Sequence, residues 1–179
     1  LFNIERGVKQ GDIISPTLFI IFINMLIRIT RTKKGYYFKE NRSINILCYA
    51  DDMILIGEDV EQMKELISTV NKYFKYYEME INTSKTKIMK ILKKGFQCNE
   101  TFYINNQIIE QTNIYEYLGI IFDHNNTMKT HIKKIINRIK IKLNQIKTVD
   151  LPFNLSIKMI NTLITPIITY GSIIIPYYE

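Results

Sequence analysis

The stretch ILCYADDMILIG, residues 46–57, sets Asp51 beside Asp52 between two apolar runs. Adjacent carboxylates repel each other, and apolar neighbours make an unpaired charge costly to bury. One reading is a plain hairpin turn, where aspartate is common because it bonds its own backbone. A two-residue turn, however, prefers Asn-Gly or Asp-Gly, and Asp-Asp supplies no glycine. The other reading is a seat for a hard divalent cation such as Mg²⁺, which takes carboxylate oxygens together with substrate phosphates. Two such ions, about 4 Å apart, can activate a 3′-hydroxyl and stabilise departing pyrophosphate in nucleotidyl transfer.

The elements around the pair follow from spacing. INILCYA and MILIG are short β-prone runs, and Asp51-Asp52 between them predicts a tight hairpin buried on both faces. Upstream, ERGVKQGDIISPTLF carries two glycines and then Ser15-Pro16, a cap and a favoured first position, so a helix is expected over 16–31. TRTKKGYYFKENRS reads as a polar, basic connector. Val60, Met63, Leu66, Ile67, Val70 and Phe74 lie at helical spacing, with Asp59 and Gln62 resembling a capping box. EINTSKTKIMKIL turns into a strand, TFYINNQIIEQT forms a small hairpin around Asn105-Asn106, and YEYLGIIFD is a strand broken by Gly119. Beyond Asp123, Ile132, Ile135, Ile136, Ile139, Leu143 and Ile146 form one stripe with lysines opposite, and a further helix begins after Pro152, capped near Asn154 or Ser156. The chain is thus an α+β part, 1–125, followed by a helical segment, 126–179.

The 179 residues are 46% hydrophobic and 23% charged, in the range of soluble globular chains rather than disordered ones. A net charge of +7 suits an anionic partner, although many basic proteins bind none. Cys48 sits in an apolar run, so a buried thiol and a reducing compartment are expected. The cysteines and His124 and His131 match no zinc spacing. Residues 17–27 are apolar but too short to span a bilayer; 159–178 are long enough but carry Asn161, threonines, Pro166 and Pro176. The second stretch is read as a buried helix followed by an extended tail, with no membrane span.

YADD, residues 49–52, resembles the catalytic hairpin of reverse transcriptases. Three further blocks agree in order. RGVKQGDIISPTLF (6–19) is similar to the motif before the long palm helix of retroelement polymerases, EMEINTSKTK (78–87) to the loop that follows, and YLGI (117–120) to the primer-grip turn. The basic helices after 125, with INTLITPIITYGS (160–172), resemble the segment following the palm in LINE-type, non-LTR retrotransposons.

That resemblance implies a partial polymerase palm, an antiparallel sheet with packed helices, followed by a thumb-like segment. It implies RNA-directed DNA polymerase activity on an RNA template, a DNA primer and deoxynucleoside triphosphates. Asp51 and Asp52 would hold two Mg²⁺ ions, Asp51 the more directly, while Tyr49 and Ala50 pack beside the primer terminus. Gln10 and Gly11 would lie under the incoming nucleotide, with Asp12 structural. Lys85 would neutralise or protonate pyrophosphate, the competing view being a solvated lysine. Tyr117, Leu118 and Gly119 would grip the primer. Lys133, Lys134, Arg138, Lys140 and Lys142 would face phosphates, or form a solvated helix face. The family's palm has another catalytic aspartate upstream of the RGV block. Because the sequence opens at Leu1, that strand and the fingers are expected to be absent and the chain nearly inactive alone. Competing readings are a non-catalytic nucleic-acid-binding remnant and a group II intron-type maturase fragment. Oligomeric state and address, nuclear or cytoplasmic, stay open.

Overall fold

The structure, a computed structural model, describes residues 7, 9, 11–39, 42–92, 98–149 and 151–174. It mixes helices with short antiparallel strand pairs, the expected α+β class, and among the described residues no sheet is wider than two strands. The chain divides into two compact units. The first comprises 1–86 and 99–110, the second 87–98 and 111–179.

In the first unit, helix α1 (Ser15–Thr30) turns Ile23, Leu26 and Thr30 inward, one residue per turn. Its opposite face leaves Leu18, Ile21, Met25 and Ile29 exposed. Pro16 stands in the first turn as expected, but Ser15 does not cap. Ile14 occupies the N-cap position, and the Ser15 hydroxyl instead donates to the Lys9 carbonyl at 2.6 Å. Helix α2 (Val60–Tyr76) begins as read: the Asp59 carboxylate accepts from Gln62 N at 2.8 Å, and Glu58 N donates back to the Gln62 side chain at 3.1 Å. Leu26, Ile46, Val70 and Tyr73 form the core, with Phe22, Cys48, Met53 and Leu55 against it. The Tyr73 hydroxyl donates to the Phe22 carbonyl at 2.7 Å, fixing α2 on α1.

Strands β1 (Tyr36–Lys39) and β2 (Arg42–Ile44) pair where only a connector was expected; Tyr36, Tyr37 and Phe38 supply the aromatic strand propensity that the flanking lysines obscured. β3 (Ile46–Tyr49) and β4 (Asp52–Leu55) form the central hairpin. Buried Asn45, just ahead of β3, donates to the carbonyls of Thr30 at 2.6 Å and Lys33 at 3.1 Å. It thereby ties the start of the hairpin to the end of α1 and to the turn that follows it. β6 (Tyr103–Ile104) and β7 (Gln107–Ile108) turn through Asn105 and Asn106, both at positive φ, as the asparagines suggested.

In the second unit, β5 (Lys87–Ile88) is only two residues long. The stretch read as one broken strand is a hairpin, β9 (Ile114–Tyr117) and β10 (Ile120–Asp123), joined by Leu118 and Gly119, and β8 (Glu110–Gln111) precedes it. Helix α3 (Lys129–Lys147) follows, then α4 (Phe153–Leu163) and α5 (Thr165–Thr169). Neither Asn154 nor Ser156 caps α4; Pro152 holds the N-cap position. The buried helix expected here is absent: α4 and α5 contain no buried residue, and the chain breaks at buried Ile164, where Pro166 opens a new helix. A short 3₁₀ turn, Ser172–Ile174, replaces the start of the expected extended tail, whose remainder lies outside the described residues. By length and composition Phe153–Ile174 is apolar enough to cross a membrane, as core helices of soluble proteins also are.

Candidate active site

The hairpin register shifts the paired acids by one position from the sequence reading. Ile46 faces Leu55, Leu47 faces Ile54, Cys48 faces Met53 and Tyr49 faces Asp52. The two loop residues are therefore Ala50 and Asp51, while Asp52 is the first residue of β4. Alternation then sorts the side chains. Ile46, Cys48, Met53 and Leu55 pack toward the helices, and burial pushes the Cys48 thiol up. Leu47, Tyr49 and Asp52 lie on the other face, which is exposed rather than buried. Burial on both faces was expected; among the described residues only the helix-facing side is covered.

Ala50 has φ of +50°, a left-handed conformation that costs a residue with a Cβ about 1–2 kcal/mol. Its small side chain makes the turn possible without glycine. Asp51 and Asp52 are exposed, and among the described residues neither carboxylate accepts a hydrogen bond or meets a cation. Two adjacent unneutralised carboxylates on a tight turn fit the donor set of a hard divalent ion. They are two ligands only: no group of three or more His, Cys, Asp or Glu side chains suited to a metal occurs among the described residues.

Two further loops of the same unit carry residues singled out by sequence. Gly11 is exposed at φ of +87°, with open space where a Cβ would stand. Asp12 accepts from Ile14 N at 3.3 Å, the structural role expected of it. Gln10 lies outside the described residues. Lys85 is exposed on a loop organised by Asn82, whose side-chain oxygen accepts from Ser84 Oγ at 2.7 Å and Lys85 N at 3.1 Å. Thr86 closes the loop on the Asn82 carbonyl, and the Thr83 hydroxyl donates to the Gln107 side chain. The signal for Asn82 in the sequence is an asparagine three residues before the lysine, the spacing of a side-chain-closed turn. An open cleft of about 1310 Å³ runs along α2 and the β6–β7 hairpin beside Lys64 and Tyr103, and includes neither Asp51 nor Asp52.

The remaining candidates belong to the second unit. Leu118 and Gly119, at φ of +48° and +78°, are the central residues of the β9–β10 turn, and Tyr117 ends β9 half-buried. On α3, Lys134 donates to both oxygens of Glu116 at 2.7 Å, so its charge is already met. Lys142 donates to Gln145 at 3.2 Å. Lys133, Arg138 and Lys140 are exposed, without an ion pair among the described residues. Lys129 and Lys147 share one stripe with Lys133 and Lys140 at spacings of four, seven and seven.

At the base of α3, buried Asp123 accepts from Asn125 N at 3.0 Å, Thr127 N at 3.1 Å and Thr127 Oγ1 at 2.8 Å. Burial pushes its carboxyl up, but these bonds and nearby His124 outweigh it and hold the group below the usual carboxylate value. His131, only 3% exposed, accepts from Ile121 N on Nδ1, and its Nε2 has no partner. Burial, helped by Lys134 and opposed by Glu116, keeps it below the usual imidazole value.

A family model described as reverse transcriptase (RNA-dependent DNA polymerase) matches residues 1–122. The RNA-directed DNA polymerase from mobile element jockey of Drosophila funebris is 24% identical over 151 residues, 79% of this chain and 16% of that protein. A Pol polyprotein from the type-1 retrotransposable element R2 of Popillia japonica is 23% identical over 176 residues, 94% of this chain and 24% of its own length. A type-2 R2DM polyprotein of Drosophila melanogaster is 29% identical over 125 residues, 65% of this chain and 12% of that protein. The chain spans a quarter or less of these relatives' length.

Proposed function

Because the chain belongs to the reverse transcriptase (RNA-dependent DNA polymerase) family, we propose that the β3–β4 hairpin is the turn at which such a polymerase joins a deoxynucleotide to a primer 3′-hydroxyl on an RNA template. By family it is an RNA-directed DNA polymerase, and its retrotransposon relatives agree with the LINE-type resemblance. The observation that carries the reading is the unneutralised Asp51-Asp52 pair held at a strained, tight turn. Residues 1–125 would be part of the palm and 126–179 a thumb-like segment.

Two Mg²⁺ ions, when bound by Asp51, Asp52 and a further acid, supply Lewis-acid stabilisation of the attacking and leaving oxygens. The chain's own groups do the rest. Asp51 and Asp52 fix negative charge where cations and triphosphate converge, and Tyr49, on the face of Asp52, offers a ring beside the primer end. Gly11, whose missing side chain leaves open space, would admit close approach by the nucleotide. Lys85, displayed by the Asn82 turn, places an ammonium to hold or protonate pyrophosphate. Tyr117, Leu118 and Gly119 bear on the primer strand, and the lysines of α3 on phosphates.

A second reading has its own observation. Two carboxylates without a third acid among the described residues favour a chain that binds primer–template but needs an acid from elsewhere to extend it. Mg²⁺-dependent primer extension by this chain, beside its Asp51→Ala variant, separates the two. Extension lost in the variant supports catalysis at this hairpin, and binding without extension supports the second reading. Extension that survives Asp51→Ala would sink the assignment of the hairpin.

A further inference from the structure

The motif INTLITPIITYGS contributes nothing to the site as described, yet its Tyr170-Gly171 pair meets the β9–β10 turn closely. The Tyr170 hydroxyl donates to the Leu118 carbonyl at 2.5 Å, across 52 residues of sequence. The Tyr170 ring lies 3.3 Å from where a Cβ on Gly119 would stand. One residue on, Gly171, at φ of +76°, seats against Ile120, whose Cδ1 would be 3.1 Å from a Cβ there. The second residue met at that position is buried His131, through Nε2 at 3.8 Å. Each glycine thus lies against a side chain from the opposite segment.

We infer that Tyr170 is a positioning residue that clamps the Leu118–Gly119 turn, and through it the presentation of Tyr117 and Leu118 to the primer. A two-residue turn with leucine at its first position is poorly specified by local sequence, since that position needs positive φ and favours asparagine, aspartate or glycine. The Leu118 carbonyl, in the middle of the turn, accepts from a residue outside the hairpin. Tyr170 supplies that donor together with a rigid ring, and Gly119 leaves the ring room. The end of α5 therefore fixes a turn whose own residues do not fix it.

This placement rests on reading the turn as the primer grip, so two independent readouts are needed. The first is amide hydrogen exchange over Leu118–Ile121 in the whole chain, wild type against Tyr170→Phe, which removes only the hydroxyl. Losing one neutral hydrogen bond should speed exchange there by about three- to tenfold, with α2 unchanged and the melting curve nearly so. Unchanged exchange at the turn overturns the clamp. The second readout is fluorescence anisotropy with a DNA primer annealed to an RNA template, compared with a blunt duplex of the same length. If the turn grips the primer end, Tyr170→Phe should reduce the preference for the recessed 3′ end by about threefold and leave blunt-duplex affinity alone. Faster exchange with an unchanged end preference would keep the clamp and overturn the primer reading of the turn. Gly119→Ala, which puts a Cβ against the Tyr170 ring at positive φ, should show the same two changes more strongly; opposite behaviour overturns the inference.

Discussion

Ala50 and His131 show how much a single residue's environment can hide from its neighbours in sequence. Ala50 holds positive φ at the tip of the β3–β4 hairpin, where the sequence placed two aspartates instead. Aspartate is a familiar turn former and alanine is not, so the pattern pointed one residue too far along. Ala50→Gly should leave stability unchanged or raise it by up to about 1 kcal/mol, the relief of strain being partly offset by unfolded-state entropy. Ala50→Val should lower it by about 2 kcal/mol, since a β-branched side chain tolerates this region worse. Urea unfolding decides, and a neutral Ala50→Val would argue against a strained turn. His131 carries a pH dependence of definite sign. Its folded pKa lies below the usual 6.5, so below that pH the unfolded chain binds the extra proton. Stability should be flat above about pH 7 and fall as pH drops from 6.5 toward the folded value. Protonation also removes the lone pair on Nδ1 that accepts from Ile121 N. Urea midpoints between pH 7.5 and 5 should slope in the wild type and lose most of that slope in His131→Gln; an equal slope in both would exclude this histidine as the source.

Elements were legible where local chemistry and tertiary packing agree. α2 could be placed from Asp59, Gln62 and an apolar stripe because its cap is self-contained. Asp59→Ala should cost about 1 kcal/mol in chemical denaturation, the loss of one satisfied N-terminal donor. The Asn105-Asn106 hairpin was equally plain, because asparagine accepts positive φ. The β9–β10 turn was not, because a leucine stands where asparagine would have signalled it and Tyr170, distant in sequence, holds it in place. The α1–β3 joint was also invisible. Asn45 reads as a polar residue before a strand, yet it is buried and donates to the Thr30 carbonyl at the end of α1 and to the Lys33 carbonyl in the turn after it. Asn45→Ala should leave both acceptors without that donor and cost about 2 kcal/mol. The hairpin's amides should also exchange faster, by its loosened attachment to α1. A loss below 0.5 kcal/mol, on the order of an ordinary surface change, would mean water replaces the amide.

For the whole molecule a net charge of +7 suits the proposed nucleic-acid partner, and the distribution of that charge, not its size, says where contacts are to be sought. The sequence KTHIKKIINRIKIKLNQIK of α3 contains no acid, and composition alone treats all its lysines alike. The structure separates them. Lys134 is held by Glu116, whereas Lys129, Lys133, Lys140 and Lys147 fall within one exposed stripe running the helix length, about 27 Å at 1.5 Å per residue. A phosphate backbone following that stripe would release counterions at each lysine, and each lost contact should reduce the slope of log affinity against log salt by about 1. Lys133→Gln with Lys140→Gln should therefore flatten the slope for a primer–template duplex by about 2, weakening binding most at low salt and least at high. Lys134→Gln should change it far less, because its charge is already shared with Glu116. Anisotropy titrations across a salt series measure all three proteins. A larger effect from Lys134→Gln than from the double variant would place the phosphates on the other flank, beside Arg138, and leave the exposed stripe to solvent.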